Sequence, residues 1–325
     1  MATKLNLTHP WLVAVWPGMG HVALNAGYYL LAKLGMDVAA ELEAGDLFDI
    51  DHVDVKGGRI QPARRPRNRF FVWNDPRGER DLVVFLGEAQ PPIGKYPFCR
   101  QLVSFAKDLG VERVLTFAAM ATRMRPEARS RVFGAATDSE GVQELKRLEL
   151  ELVEEGQISG LNGVLLGVAA DAGLPGACLL GEMPHLFAQL PFPKASLAVL
   201  EVFTTMTDIE LDFTELAEQA QVVEEQLGEL MSRVEQGFGQ GEEGEQETDA
   251  SADDEDDEDE AIPDPRAEPA PEPRDERRIE GLFEQATKDR SKAFELKRVL
   301  DRLGVFKKYE DRFLDLFKKG RPGAG

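Results

Sequence analysis

Residues 11–31 read WLVAVWPGMGHVALNAGYYLL, an apolar run followed by a glycine turn and a second apolar run at helical spacing. The run from Trp11 to Trp16 is almost wholly apolar and partly β-branched, as in a strand that is buried on both faces of a parallel sheet. Pro17 and Gly18 end that run. From Val22 onward, apolar residues recur every three or four positions, which predicts a helix packed on the sheet. The stretch therefore predicts a strand, a tight turn and a helix, as in an α/β protein.

The glycines of this turn allow two interpretations. Gly18, Gly20 and Ala23 fit the loose pattern Gly-x-Gly-x-x-Gly/Ala, and Glu41 and Glu43 follow about twenty residues later, which is the outline of a dinucleotide-binding loop. A tight turn from a strand to a helix also needs glycine for its positive φ, without any ligand. We favour a structural turn or a different ligand over a dinucleotide, because a three-point pattern with one relaxed position often arises by chance. No Gly-Lys-Ser/Thr follows, which excludes a P-loop here.

Composition narrows the class of protein. The chain has 325 residues, a formal net charge of -21 and two cysteines, and no run of eighteen apolar residues occurs in it. Its first residues, MATKLNLTHPW, lack the features of a signal peptide, so we expect a cytoplasmic protein and no membrane span. Cys99 and Cys178 are isolated, which predicts buried core residues rather than a disulfide or a metal site. The sequence predicts neither a metal nor a cofactor.

Charge and hydropathy divide the chain into three regions. Residues 1–236 form the predicted α/β domain. Residues 237–275 form a predicted disordered linker: its first part, residues 242–260, holds 13 acidic and no basic residues, and its second part is rich in proline. Residues 276–325 regain helical periodicity and carry 14 basic and 9 acidic residues. Because the domain itself is acidic, it is a poor binder of nucleic acid on electrostatic grounds.

Further elements of the domain follow from local patterns. Apolar runs predict buried strands at residues 82–86, 111–118 and 177–180, and amphipathic stretches predict helices at residues 98–109, 161–172, 194–206 and 212–234. The turn at residues 75–78 lies between two strand-like segments, so part of the sheet is expected to be antiparallel. These patterns together predict an α/β fold with a mixed sheet.

The C-terminal segment, residues 276–325, has two interpretations. About fifty residues in two or three amphipathic helices bury too little surface to form a stable core alone. We therefore favour docking of these helices on the chain's own domain or on a partner protomer. The alternative is a module that binds a partner from a flexible tether.

Two stretches share one pattern that points to a polar site. VVFLGEAQPP and ACLLGEMPHL each have an apolar strand, then Gly-Glu, then a proline within four residues. If both strands run parallel to the first strand, Glu88 and Glu182 lie at the same carboxyl edge as Gly18 and Gly20, where ligands sit in open α/β sheets. Other polar residues could join them: Gln90, Asn162 and His185. Such a set could bind ribose hydroxyls or perform acid–base chemistry, or the glutamates could cap helices and bind loop amides.

Four stretches together resemble the proteasome assembly chaperone family, specifically the second chaperone subunit and its archaeal and bacterial homologues. They are WPGMGHVALNAGYYLL, which contains Asn25, VFLGEAQP, ISGLNGVLLGVAADAG and LLGEMPHLFAQLPFPKASLAVLE. The resemblance implies a three-layer α/β/α sandwich with a mixed sheet, similar to purine nucleoside phosphorylases. It also implies a non-enzymatic chaperone that forms homo-oligomers and binds proteasome subunits. Bacterial members of the family mostly lack an established function.

The sequence thus predicts a non-enzymatic protein-interaction or chaperone-like protein that binds proteasome-like subunits. The alternative is a protein or enzyme for a nucleoside-like ligand at the carboxyl edge. One feature departs from the family, since archaeal members often end in a hydrophobic-Tyr-any motif and this chain ends KKGRPGAG. Docking into a proteasome through that motif is therefore not expected.

Overall fold

The structure is a computed structural model, and it describes residues 5–48, 53–62, 64–239 and 273–318. The strands are β1 Trp11–Val15, β2 Asp37–Glu41, β3 Asp54–Lys56, β4 Arg59–Gln61, β5 Asn68–Trp73, β6 Leu82–Gly87, β7 Arg113–Thr122, β8 Val132–Ala136, β9 Glu151–Leu152 and β10 Gly176–Pro184. The helices are α1 Val22–Lys33, α2 Lys95–Asp108, α3 Ser139–Arg147, α4 Gly160–Asp171, α5 Pro193–Thr207, α6 Thr214–Gly239, α7 Pro273–Lys288, α8 Ala293–Arg302 and α9 Phe306–Asp315.

Eight strands form one mixed sheet in the order β2-β5-β6-β1-β7-β10-β8-β9. The central four strands, β6, β1, β7 and β10, are parallel, so their carboxyl ends meet at one edge. The outer strands supply the antiparallel pairs, with β5 against β6 and β8 against β10. The predicted turn at residues 75–78 does connect an antiparallel pair, β5 and β6. Strands β3 and β4 form a separate hairpin.

Helices cover both faces of the sheet, as the predicted three-layer sandwich requires. On one face α2 and α4 pack over Leu12, Ala14 and Trp16 of the first strand segment. The other face carries α1 and α5 over Val13 and Val15. Because β1 is buried on both faces, alternate residues enter two separate cores, which explains its unbroken apolar run. The α/β fold class with a mixed sheet is confirmed.

The C-terminal helices α7, α8 and α9 pack on the chain's own domain over α1. Phe294 of α8 makes an edge contact with Tyr29 at 4.6 Å between ring centroids, and Phe313 of α9 does the same with Tyr28 at 5.6 Å. The backbone N–H of Val38 in β2 donates to the Phe317 carbonyl at 2.8 Å. Docking on the chain's own domain, the favoured interpretation of this segment, is what the structure shows.

Two strands of the sheet end later than the sequence predicted. β7 and β10 continue to Thr122 and Pro184, about four residues beyond the predicted ends, because they pair with each other along their whole lengths. Most of the predicted linker, residues 240–272 of 237–275, lies outside the described residues.

No helix in the described parts of the chain is long and apolar enough to cross a membrane. Both cysteines are buried, and burial raises the pKa of each thiol to about 12.

Candidate functional site

The glycine turn after β1 is packed rather than open. Gly20 adopts a left-handed conformation with φ of 60°, and a Cβ placed there would lie 2.6 Å from the Met183 sulfur. Its N–H donates to the Ala188 carbonyl at 2.9 Å, and its carbonyl accepts from the Phe192 N–H at 2.9 Å. Gly18 is extended, with no atom within 4 Å of a Cβ position. Gly20 is therefore required by the turn and by its contact with β10.

The dinucleotide interpretation of this turn fails on topology. A dinucleotide fold needs the strand after α1 to run parallel to β1 and beside it. Here β2 lies at the far edge of the sheet and pairs antiparallel with β5. Its last residue, Glu41, makes an ion pair with Arg67 at 2.5 Å instead of facing the glycine turn.

Gln90 connects two elements of the carboxyl edge. Its Nε2 donates to the Pro17 carbonyl at 3.0 Å, and its Oε1 accepts from the Leu161 N–H at the start of α4 at 3.1 Å. Asn162 lies one residue further along α4, and its Oδ1 is buried without a hydrogen-bond partner among the described residues. Gln90 thus joins the glycine turn to the start of α4, the helix that carries Asn162, and has a positioning role.

Glu88 follows β6 and is buried among arginines. Its Oε2 accepts from Arg64 Nη1 at 2.6 Å and from the Arg67 backbone N–H at 3.0 Å. Its Oε1 lies 3.4 Å from Nη2 of Arg69, whose side chain is 1 % exposed. Burial raises the pKa of the Glu88 carboxyl above its ordinary value, and these N–H groups oppose that effect. The carboxylate is committed to partners within the chain.

Glu182 is held by a different arginine. It lies within β10 rather than after it, contrary to the sequence prediction, because β10 stays paired with β7 and β8. Arg131 approaches its two oxygens with Nε and Nη2, both at 2.7 Å, and Thr122 Oγ1 donates at 2.8 Å. The hydrogen bonds from Arg131 hold the pKa of Glu182 below its ordinary value, although burial opposes this. Glu182 is thus an ionised structural carboxylate.

The two glutamates share an edge but do not share a site. β1 and β7 separate β6 from β10, so three strand spacings of about 4.8 Å place the two strands roughly 14 Å apart. His185 is exposed and its Nδ1 lies 2.9 Å from the Thr122 carbonyl, on the Glu182 side. Each carboxylate is held by a different arginine, Glu88 by Arg64 and Glu182 by Arg131.

Asn25 of α1 is bound by the C-terminal helices. Its Oδ1 accepts from Lys297 Nζ of α8 at 3.1 Å, and this buried lysine also lies 2.5 Å from Asp301. One helical turn along α1, the Tyr28 hydroxyl donates to Glu310 of α9 at 2.8 Å. The Asn25 side chain is therefore covered by α8 and is not available at a free surface.

Comparison with known proteins decides the family. The sequence model of the PAC2 family matches residues 12–231, about two thirds of the chain. The chain belongs to the PAC2 family. PbaB of Pyrococcus furiosus, described as an archaeal proteasome activator, is 27 % identical, with a TM-score of 0.60 over 72 % of this chain and 96 % of that one.

Two further solved structures are similar to this chain. A PAC2 family protein of Streptomyces avermitilis is 28 % identical, with a TM-score of 0.59 over 68 % of this chain and 95 % of that one. PbaA of Pyrococcus furiosus, described as an archaeal homolog of proteasome-assembly chaperone, is 26 % identical, with a TM-score of 0.55 over 73 % and 94 %. The relation to proteasome assembly chaperones predicted from the sequence is confirmed. Helices α7 to α9 lie outside the PAC2 match.

The arginines that bind Glu88 and Glu182 were not predicted from the sequence. Arg69 sits in β5 between Asn68 and Phe70, and an arginine inside an apolar strand is a signal that a buried carboxylate must face it. Arg64 and Arg131 lie just outside strands, in polar stretches without any such signal. Which glutamate each arginine meets depends on strand order, and strand order is not a local property of the sequence.

An exposed apolar patch lies beside the glycine turn. Met19, Leu186 and Leu190 are 46 %, 59 % and 42 % exposed. They belong to two neighbouring turns, which are joined by the hydrogen bond from Gly20 to Ala188. Clustered exposed apolar side chains are typical of protein-binding surfaces. The carboxyl edge therefore combines neutralised carboxylates with an apolar surface.

Proposed function

We propose that this chain is a non-enzymatic, chaperone-like protein of the PAC2 family that binds proteasome-type subunits. We further propose that it works in the cytoplasm as a homo-oligomer. The observation that carries this proposal is the chemistry of the carboxyl edge, where Glu88 and Glu182 are each neutralised by arginine while Met19 and Leu186 are exposed. An edge of this kind is suited to contact with a protein surface rather than to proton transfer.

The relatives support the class of partner. PbaB is described as a proteasome activator and PbaA as a homolog of a proteasome-assembly chaperone, and both exceed 25 % identity with this chain. The PAC2 match, residues 12–231, includes the glycine turn and both glutamates. The proposal transfers only the kind of partner, a proteasome-type subunit, to the surface of that domain.

The alternative, a nucleoside-like ligand at the same edge, receives less support. Such a ligand needs a free carboxylate or amide, and the side chains of Glu88, Gln90 and Glu182 are all engaged within the chain. Asn162 Oδ1 is the candidate atom without a partner among the described residues. One buried oxygen is too little to define a ribose site.

The proposal is tested by mixing the full chain with purified proteasome α- and β-subunits from the same organism and following complexes by sedimentation velocity. We expect a complex that Met19→Asp with Leu186→Asp weakens at least tenfold. Ile60→Asp is the matched control, since Ile60 is 74 % exposed on the separate β3–β4 hairpin. Absence of a complex with the unchanged chain would contradict the proposed partner.

A second measurement separates the alternative. Thermal unfolding of the full chain is followed with millimolar nucleosides, nucleotides and phosphate. A ligand at a hundred times its dissociation constant would stabilise the fold by about 2.7 kcal/mol, which is a shift of roughly several degrees. We expect no shift. A shift that is lost in Glu88→Gln or Glu182→Gln would favour the ligand-binding function instead.

A further inference from the structure

A cleft of about 730 Å³ lies between α6 and α8, and Leu190, Pro191 and Arg278 of α7 also line it. One wall is α6, part of the PAC2 domain, and the other belongs to the C-terminal helices. The cleft is thus a joint product of two regions of the chain. We call it the α6–α8 cleft.

The floor of the α6–α8 cleft is apolar and partly uncovered. Val222, Val223 and Leu227 of α6 face Val299 of α8 across it. Val222 is 50 % exposed and Leu190 is 42 % exposed. The lining residues of α6 run from Glu215 to Leu227, a length of about 18 Å or three helical turns. A groove between two helices of this length fits a third helix of about three turns.

The α6–α8 cleft carries an excess of positive charge after the ion pairs within the chain are counted. Each of its four carboxylates has a cation within the chain: Glu215 pairs with Lys33, Glu218 with Arg298, Glu295 with Lys292, and Asp301 with Lys297. Of its three arginines, Arg278 and Arg302 contact no carboxylate among the described residues. The uncompensated charge is therefore positive, in a chain whose net charge is -21.

One polar atom in the cleft also lacks a partner. Gln219 lines it, and its Oε1 is buried without a hydrogen bond from any residue in the described ranges. A buried acceptor of this kind costs free energy unless a donor reaches it. An occupant with a polar side chain at that level would satisfy this oxygen.

We propose that the α6–α8 cleft binds an amphipathic helix of a partner protein whose apolar face covers Val222 and Leu190 and whose flank carries carboxylates for Arg278 and Arg302. This proposal says where on the chain a partner binds. It rests on the proposed function only for the statement that the partner is a protein. The cleft needs no proteasome subunit for its test, so failure of one proposal is distinguishable from failure of the other.

Two labelled peptides test the proposal on the full chain by fluorescence anisotropy. Both are fourteen-residue helices with leucines at helical spacing, and they differ only in a flank of four glutamates or of four lysines. We expect the glutamate peptide to bind at least tenfold more tightly than the lysine peptide at low ionic strength. Because the arginines are exposed, added salt should reduce this preference.

Variants localise the binding. Arg278→Glu with Arg302→Glu should reverse the preference so that the lysine peptide binds more tightly, and Val222→Asp should weaken both peptides at least tenfold. Arg274→Glu with Arg277→Glu is the matched control, because these exposed arginines lie on the same helix outside the cleft. That control should leave the preference unchanged.

Three results would overturn the proposal. The first is equal binding of the two peptides, and the second is a preference that survives the Arg278 and Arg302 substitutions. The third is binding of the glutamate peptide only after the carboxylates of residues 242–260 are replaced by amides. That result would assign the cleft to the chain's own acidic run instead of a partner.

Discussion

Glu88 and Glu182 follow the same local pattern, an apolar strand and a glycine, yet their surroundings differ. Glu88 is surrounded by arginines that also contact the C-terminal helices, since Arg69 Nη2 donates to Asp311 of α9 at 2.7 Å. Glu182 is held within the domain by Arg131, whose other partner is Glu151. Burial raises the pKa of Glu88, whereas Arg131 lowers the pKa of Glu182. The same local pattern thus leads to two different environments, because the arginines that contact each glutamate come from other parts of the chain.

The ion pairs of Glu88 and those of Glu182 also connect different parts of the chain. The Glu88 cluster joins the domain to α9, where Arg64 and Arg69 lower the pKa of Asp311 although burial opposes them. The Glu182 cluster joins strands of one sheet. The first cluster therefore reports on docking of the C-terminal helices, and the second reports on the sheet alone.

The largest expected effect is that of Arg69→Met. Arg69 is 1 % exposed between Glu88 and Asp311, and loss of one partner of a buried ion pair costs about 3–5 kcal/mol. We expect Arg69→Met to lower the free energy of unfolding by that amount and to release α9 to protease. Urea unfolding and limited proteolysis measure the two effects.

Arg131→Met is the matched variant at Glu182. Arg131 is 52 % exposed, and Thr122 still donates to Glu182 after the change, so we expect a loss of about 1–2 kcal/mol without release of α9. Equal losses in the two variants, or protease cleavage after both, would break the distinction between the two clusters.

A smaller effect is expected for Tyr28→Phe. The change removes the buried hydroxyl that donates to Glu310 of α9 and keeps the ring, which should cost about 1–2 kcal/mol and speed hydrogen exchange in α9. Tyr29→Phe is the neighbouring control, because its hydroxyl donates to the Asp212 carbonyl in the domain. Faster exchange of α9 in Tyr29→Phe would contradict the assignment.

The smallest expected effect is a difference between Glu182 and Glu88 in how their contributions to stability change with pH. The folded pKa of Glu182 is lowered, so its contribution to stability is present above the unfolded value of about 4.3 and is lost as the pH falls through the folded pKa. The folded pKa of Glu88 is raised, so its contribution is present below about 4.3 and is lost as the pH rises through the folded pKa.

Urea unfolding from pH 3 to 7 therefore compares each Gln variant with the unchanged chain. The advantage of the unchanged chain over Glu182→Gln should grow with pH, and its advantage over Glu88→Gln should shrink. Slopes of the same sign would show that the two carboxyls share one environment.

The sequence predicted the strands that carry the candidate site better than it predicted the contacts of the site's side chains. The apolar runs of β1 and β6 indicate strands by themselves, and parallel pairing then places Gly18 and Glu88 at one edge. The sequence could not place Glu182 within β10, because the end of that strand depends on its pairing with β7. It could not show that Lys297 covers Asn25 either, since 272 residues separate the two.

The docking of the C-terminal helices also sets a time interval during protein synthesis. Tyr28 and Glu310 are 282 residues apart in the sequence. At about 5–20 residues per second, a ribosome takes roughly 15–60 s to extend the chain from the first residue to the second. During that interval the Tyr28 ring lacks the cover that α9 gives it. Its exposure to aggregation is governed by translation speed, which codon choice can change without changing any residue.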